Sequence, residues 1–289
     1  GYLGFEGQSD RSAPQGRAGT LLLDPTDLTI QAGSPDLNDD GLPGDDLASG
    51  SINFADPGAS SRITSGAVET QLGAGPVTLQ ATGTIFVNNA ISSGSANLLR
   101  LSAGDNIAIT QPISVGGGLR LSANDAGTPA RSGSGSVSTS APLTAGGTLT
   151  LDNGGGSGVH GIGANLSAAS LSVTGGLQLV SDSTFTLTGA PVTLAADISG
   201  AGALTKSGSA NLILTGANSY TGSTTVAQGT LTLSSALDST VFAVNAGTLA
   251  LTATNLLPDS AAITVALGAT LNVAAAERIQ QLTLAGTIT

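Results

Sequence analysis

The residues best suited to chemistry form an acidic run near the start of the chain. Five of its side chains with carboxylate or amide oxygens are candidate ligands, namely Asp36, Asn38, Asp40, Asp45 and Asp46. Oxygen ligands at alternate positions, with Gly41 at the sharp turn, are what a calcium-binding loop requires. The twelfth position, where a bidentate glutamate would complete such a loop, is Leu47. The run therefore predicts a weak calcium site or, alternatively, a solvated acidic turn, and no other cofactor is required.

A second candidate surrounds His160, the only histidine of the chain. Asp152 and a run of glycines precede it, an arrangement that suits acid–base chemistry or the binding of a phosphate group. However, no lysine follows the glycines, and there is no second histidine to complete a metal site. The residue types therefore favour an exposed turn at His160 over a functional site.

Tyr220 is the third candidate, because an exposed aromatic ring can serve as a stacking platform for a sugar. The alternative is that the ring packs over a corner of the fold. Packing is the commoner role for a single aromatic residue of this kind, so we expect Tyr220 to be a packing residue.

The remaining charged residues are too dispersed for catalysis. Beyond residue 56 the seven aspartates and two glutamates stand singly, and Arg100 and Arg120 form the only basic pair. A polysaccharide lyase or hydrolase needs two or three converging carboxylates, or a carboxylate-bound calcium ion beside a basic residue. The sequence therefore predicts no catalytic residue, and an enzyme of this kind is the least favoured interpretation.

Composition restricts both the core and the partners. Hydrophobic residues make up 40% of the chain but aromatic residues only 2%, and Trp, Met and Cys are absent, so any core is narrow and aliphatic. The net charge of −11 opposes binding to nucleic acid or to an anionic membrane surface. Residues 1–20 lack the pattern of a signal peptide, and no apolar run is long enough to span a bilayer. We expect no nucleic-acid partner and no membrane insertion of this segment.

Short strings of alternating apolar and polar residues recur along the chain and predict β-strands. Equivalent strings begin at Val77, Leu99, Leu119 and Leu149, with spacings of 22, 20 and 30 residues. This recurrence is typical of a solenoid, and the excess in the last interval predicts a loop inserted at 125–136. The predicted fold class is therefore all-β, a right-handed parallel β-helix.

The same alternation predicts which side chains face the interior. Four leucines that share one offset from the start of each string are expected to stack inward: Leu79, Leu101, Leu121 and Leu151. Thr78 and Ser102 have the opposite parity and are expected to face solvent. Residues 274–279 are the only short helical candidate.

The distribution of charge predicts two segments. Residues 1–56 carry nine aspartates and Glu6 against Arg11 and Arg17, so they contribute −8 of the net charge. We predict that they form an acidic N-terminal segment with strands near 20–23 and 28–30 and an irregular first coil. Residues 57–289 are predicted to hold the regular coils, continuous with the first segment and part of a longer protein.

Two stretches of the sequence resemble known families. Residues 19–30, GTLLLDPTDLTI, resemble a segment of filamentous-haemagglutinin-like exoproteins exported by two-partner secretion, and 77–92 and 99–115 resemble the β-helix rungs of that family. Residues 200–222 and 229–233, with LTKSG, GANSYTG and GTLTL at set positions, are similar to the passenger-associated repeat of autotransporters.

Both resemblances imply an extracellular β-helix that crosses an outer-membrane pore unfolded and folds outside the cell. The chain would then be a passenger or stalk segment of a large bacterial surface or secreted exoprotein, of adhesin type. The implied partners are glycans or proteins of host or neighbouring cells, further copies of the chain, and the secretion pore during export. A purely structural filament or display stalk is the alternative function.

Overall fold

The computed structural model describes residues 21–23, 27–32, 60–125 and 133–289. The chain forms two compact units, Gly1–Gly158 and Val159–Thr289. The predicted boundary after residue 56 and the acidic run at 36–46 lie outside the described residues, so both stay predictions.

The first unit consists of short strands and one helix. Buried and less buried side chains alternate along most strands, because successive side chains of a strand point to opposite faces. The strands are β1 (Leu21–Leu23), β2 (Asp27–Gln31), β3 (Ser60–Thr64), β4 (Val77–Ala81), β5 (Ile85–Val87), β6 (Ile91–Ser93), β7 (Leu99–Ala103), β8 (Ile107–Ile109), β9 (Ile113–Val115), β10 (Leu119–Ser122), β11 (Val137–Thr139) and β12 (Leu143–Asp152). The helix, α1, spans Ser65–Ala74.

All pairings among the described strands of the first unit are parallel. One ladder joins β1, β4, β7, β10 and β12, a second joins β3, β2, β5, β8 and β11, and a third joins β6, β9 and β12. Parallel neighbours cannot be connected by a tight hairpin. The chain instead passes through the other two ladders before it returns to the first, which confirms the predicted parallel β-helix.

The strand register agrees with the spacing of the sequence repeats. Val77 pairs with Leu99, Leu99 with Leu119, and Leu119 with Leu149. Strand β10 ends at Ser122 and β11 begins at Val137, so the predicted insertion lies between these two strands. The coil therefore tolerates extra residues at this point without a change in register on either side.

The predicted leucine stack is confirmed. Leu79 pairs with Leu101, Leu101 with Leu121 and Leu121 with Leu151, and all four side chains are fully buried. Each such leucine contributes about 1.5–3 kcal/mol by leaving water. Because the same position is aliphatic on every coil, the narrow core continues from one coil to the next.

The second unit is built in the same way. Its strands are β13 (Val159–Ile162), β14 (Leu166–Val173), β15 (Gly176–Leu179), β16 (Ser183–Leu187), β17 (Val192–Leu194), β18 (Ile198–Gly200), β19 (Leu204–Ser207), β20 (Asn211–Leu214), β21 (Thr224–Val226), β22 (Thr230–Leu233), β23 (Val241–Val244), β24 (Thr248–Leu251), β25 (Ala262–Val265), β26 (Thr270–Val273), β27 (Gln281–Leu284) and β28 (Thr287–Ile288).

Three parallel ladders form the second unit. The first joins β14, β16, β19, β21, β23, β25 and β27, the second β13, β15 and β18, and the third β17, β20, β22, β24, β26 and β28. Leu212, Leu231, Leu249 and Leu271 are in register in the third ladder and are buried. The second unit is therefore also a parallel β-helix with an aliphatic interior.

The helix lies at a different place from the one predicted. Helix α1 begins after Thr64, whose side-chain oxygen accepts a hydrogen bond from the Ala67 N–H at 3.3 Å and so caps the first turn. Val68 and Leu72, four residues apart, share one buried face. This face is too short to stand out as a helical pattern in the sequence. No helix in the described residues is long and apolar enough to cross a membrane.

The predicted helical segment at 274–279 is not a helix. The Glu277 carboxylate accepts hydrogen bonds from the backbone N–H groups of Leu256 at 2.8 Å and Leu257 at 3.3 Å. These bonds tie the segment, which has no regular secondary structure, to the preceding coil. A tertiary contact therefore overrides the local helix preference of the alanine run.

Candidate functional site

His160 is buried, so the prediction of an exposed turn is wrong. The residue lies on β13 in register with Leu177 of β15 and is 0% exposed. Its Nε2 is 3.0 Å from the Thr174 carbonyl oxygen, which fits an Nε2–H donor. His160 has the same parity as Ile162 in its strand, and parity places both in the interior. The ring is therefore part of the core and presents no surface to a substrate.

Arg100 and Arg120 lie side by side on consecutive coils, in register between β7 and β10. Arg100 Nη2 donates to Asp125 Oδ2 at 2.8 Å. Arg120 makes the same contact with Asp152, also at 2.8 Å. Each positive charge thus has a carboxylate partner. Partly exposed ion pairs of this kind contribute up to about 1 kcal/mol, so their main effect is to fix the outer surface of these coils.

Ser102 is buried, contrary to the expectation that it faces solvent. Its hydroxyl donates to the Asp125 carboxylate, which also accepts the bond from Arg100. Ser122 has the equivalent place one coil later and is likewise buried. Asp125 follows β10, so the turn of the next coil covers Ser102 of β7, an effect that strand parity alone does not predict. Thr78, earlier in the β4 strand, is half-buried.

The metal candidates of the acidic run lie outside the described residues. Among the residues that the structure does describe, no three His, Asp or Glu side chains are close enough together to hold a metal ion. The calcium site through Asp36, Asn38, Asp40, Asp45 and Asp46 therefore stays a prediction.

Tyr220 packs in the interior, as expected. Its side chain is 0% exposed, and its hydroxyl lies 2.7 Å from the Thr224 Oγ1. Burial raises the pKa of the Tyr220 phenol well above its usual range, and the hydrogen bond to Thr224 opposes this shift in part. No ring face is available to stack on a sugar.

Lys206 is the buried charged residue that sequence reasoning missed. It is 0% exposed and pairs in register with Phe185 on one side and Val226 on the other. Its Nζ donates to the carbonyl oxygens of Ser207 at 2.7 Å, Gly208 at 2.8 Å and Gln228 at 3.2 Å. Burial lowers the pKa of Lys206 from 10.5 to about 8. Its parity, shared with Leu204, was the signal that could have placed it inside.

Lys206 joins two consecutive turns of the coil. Gly208 has φ of +77° and Gly229 has φ of +72°, a region that favours glycine. A Cβ added at Gly229 would lie 2.4 Å from the Gly208 carbonyl oxygen. The two turns are therefore stacked backbone on backbone, and the ammonium group supplies donors to carbonyls in both. Its role in the structure is to hold these turns together.

Two rows of threonines face outward on the second unit. The first threonine row consists of Thr184, Thr205, Thr225, Thr264 and Thr283, in register across β16, β19, β21, β23, β25 and β27 with Ala243 in the β23 position. The second threonine row consists of Thr230, Thr248, Thr270 and Thr287, on β22, β24, β26 and β28. All nine side chains are half-buried or exposed. Neighbouring strands in a sheet are about 4.8 Å apart, so the threonines repeat at that interval except where Ala243 interrupts the first row.

The comparisons with known proteins give one match. A model of the passenger-associated-transport-repeat family matches residues 204–233, a stretch that contains Lys206, Tyr220 and Gly229. No curated protein and no solved structure matches the chain. The match supports an autotransporter-type passenger repeat within the β-helix, and this family implies a secreted or surface protein.

Proposed function

We propose that this chain is an adhesin-type segment of the extracellular passenger of a large bacterial surface or secreted exoprotein. The passenger-associated repeat at 204–233 supports the passenger assignment, and the parallel β-helix is the architecture in which that repeat lies. The adhesive role is supported by the two threonine rows, which are repetitive and carry no charge on the outer surface of the second unit.

The threonine rows are the observation that carries the proposal. Within the described part of the second unit, the hydroxyls of these nine threonines have no hydrogen-bond partner in the protein. Each hydroxyl can donate one hydrogen bond and accept two, which suits the hydroxyl groups of a glycan or the backbone of a protein. A single contact of this kind is weak, but many in register add up when the partner also repeats.

Two features of the sequence bear on the route of export. The resemblance of residues 19–30 to filamentous-haemagglutinin-like exoproteins favours two-partner secretion, whereas the repeat at 204–233 is of the autotransporter type. In both cases the chain passes an outer-membrane pore unfolded. The absence of cysteine is compatible with that passage, because no disulfide can form before the chain emerges.

Binding without turnover is the property that separates this proposal from a polysaccharide lyase or hydrolase. Those enzymes need an acid and a base that converge on one substrate bond. In the described residues, three ionisable side chains that could act as an acid or a base already have partners. Asp125 and Asp152 form ion pairs with arginines, and Lys206 donates hydrogen bonds to backbone carbonyls. We therefore propose that the partners are host or neighbouring cell-surface glycans or proteins, with self-association as a further mode.

The test compares monomeric and clustered protein on the same surfaces. The chain is applied to a glycan array and to cultured cells, either free or coupled at high density to beads. We expect weak binding of the free chain and much stronger retention of the beads. Incubation with pectin, alginate and glycosaminoglycans should release neither reducing ends nor unsaturated products. Turnover that a single Asp→Asn change abolishes would overturn the proposal, and no retention even of the beads would favour a display stalk.

A further inference from the structure

Asn153 and Gly154 form a tightly held turn after β12 in the first unit. Asn153 is 2% exposed, and its Nδ2 donates to the carbonyl oxygens of Gly156 at 2.8 Å and Gly158 at 2.9 Å. The Gly154 N–H donates to the Asp152 Oδ1 at 3.0 Å. The carboxamide of Asn153 therefore braces the loop 153–158 from inside.

At Gly154, Gly156 and Gly158 the loop has no space for additional atoms. The Asn124 Nδ2 of the preceding coil donates to the Asn153 carbonyl oxygen at 3.0 Å. A Cβ added at Gly156 would lie 2.3 Å from the same Asn124 nitrogen, and one added at Gly158 would lie 2.1 Å from the Gly135 carbonyl oxygen. The backbone of this loop thus rests directly on the backbone and side chains of the coil beneath it.

Asn153–Gly154 is also the only asparagine–glycine pair in the sequence. In such a pair the backbone nitrogen of the glycine can attack the side-chain Cγ of the asparagine, because glycine has no side chain to obstruct the approach. A bond forms between the Gly154 nitrogen and the Asn153 Cγ, the Cγ–Nδ2 bond breaks, and ammonia leaves with the proton of the attacking nitrogen. Water then opens the resulting succinimide to aspartate or isoaspartate.

We propose that Asn153–Gly154 is a self-modification site that the folded coil protects and the opened chain exposes, and that its deamidation prevents this coil from closing again. In the folded coil, two carbonyl oxygens hold the carboxamide in place and burial excludes water. After deamidation to aspartate, a carboxylate would face those two carbonyl oxygens, three acceptors without a donor between them. Isoaspartate would add a carbon to the backbone of a loop that rests on the coil beneath it.

The chemical half of this proposal is tested on the wild-type chain. One sample is kept in denaturant and a second in native buffer at the same mildly alkaline pH, and peptide mapping by mass spectrometry follows the conversion of Asn153. We expect conversion in denaturant and a rate lower in native buffer by a factor on the order of 10² or more, since only opened molecules react. Asn124, which Asp125 follows, is the internal control and should convert far more slowly.

Equal rates in the two samples would overturn the protection, and no faster conversion at Asn153 than at Asn124 in denaturant would overturn the site. A Gly154→Ala chain kept in denaturant should convert more slowly than the wild type, a measurement that does not require the variant to fold.

The structural half is tested by refolding. Samples held in denaturant for increasing times are diluted into native buffer, and the converted fraction of Asn153 is compared between the protease-resistant and protease-sensitive material. We expect the converted chains in the sensitive fraction, with the loop 153–158 as the first point of cleavage. An even distribution of converted chains between the two fractions would overturn the claim that the modification blocks closure of the coil.

Discussion

The replacement of Lys206 by methionine tests how a charge is held inside the second unit. Methionine keeps much of the length of the side chain but removes the ammonium group and its three hydrogen bonds. Burial lowers the pKa of Lys206 from 10.5 to about 8. Each pH unit of difference corresponds to about 1.4 kcal/mol, so the folded state disfavours the charged form by about 3 kcal/mol relative to the unfolded state.

The sign of the pH dependence follows from this lowered pKa. Between pH 8 and pH 10.5 the unfolded chain keeps the proton on Lys206 while the folded chain loses it. The free energy of unfolding of the wild type therefore rises with pH across this window, by up to about 3 kcal/mol. This gain is lost as the pH falls from 10.5 to 8, and below pH 8 Lys206 adds no further pH dependence because it is protonated in both states. Tyr220 has the opposite effect above pH 10, because its pKa is raised, but it is present in both proteins and cancels in their difference.

The assay is denaturant unfolding followed by circular dichroism, at one pH below 8 and one above 10.5. We expect the wild type to gain about 3 kcal/mol relative to Lys206→Met between the two conditions. Thr205→Ser, on the outward side of the same strand, is the control and should follow the wild type. A difference between wild type and Lys206→Met that is independent of pH, or that shrinks as pH rises, would refute the burial of the ammonium group.

Three further outcomes follow from the packing and from the acidic run. Leu101→Asp places an unpaired carboxylate in the leucine stack and should lower the free energy of unfolding by several kcal/mol, whereas Thr78→Ser should leave the melting temperature almost unchanged. Gly229→Ala forces a side chain into the left-handed region against the Gly208 carbonyl and should cost at least about 1 kcal/mol, while Gly73→Ala, with open space around it, should be neutral or stabilising in the same thermal melt. If residues 36–46 bind calcium weakly, millimolar calcium should raise the melting temperature slightly and release heat in titration calorimetry; no heat and no shift would leave a solvated turn.

Strand alternation was sufficient to predict the fold because the β-helix repeats one simple rule on every coil. The spacing between Val77, Leu99 and Leu119 gave the register, and the parity within each string gave the inward leucines. No long-range information was needed, since each strand pairs with its equivalent one coil away. The same rule, applied to His160 and Lys206, would have placed both in the interior. Residue type alone favours the surface for a histidine or a lysine, and in this fold strand parity prevails over it.

The features that sequence could not predict depend on contacts between coils. Ser102 is buried because Asp125 from a later turn covers it. Residues 274–279 do not form a helix because the Glu277 carboxylate accepts hydrogen bonds from backbone amides of the previous coil. Helix α1 owes its position to the coil surface on which Val68 and Leu72 pack. Neither strand parity nor local secondary-structure propensity predicts these contacts.

The proposed adhesive role depends on the hydroxyls of the threonine rows, and a hydroxyl-deletion variant tests it most directly. In the first threonine row, Thr205, Thr225 and Thr264 are changed together to valine, which keeps the branched shape favoured in strands but removes the hydroxyls. The matched control changes the same three residues to serine, which keeps the hydroxyls. Bead-clustered proteins with unchanged melting temperatures are compared on the glycan array and on cells. We expect the valine variant to lose most of its retention and the serine variant to keep it. Retention of the valine variant at the wild-type level would contradict the claim that these rows make the contact.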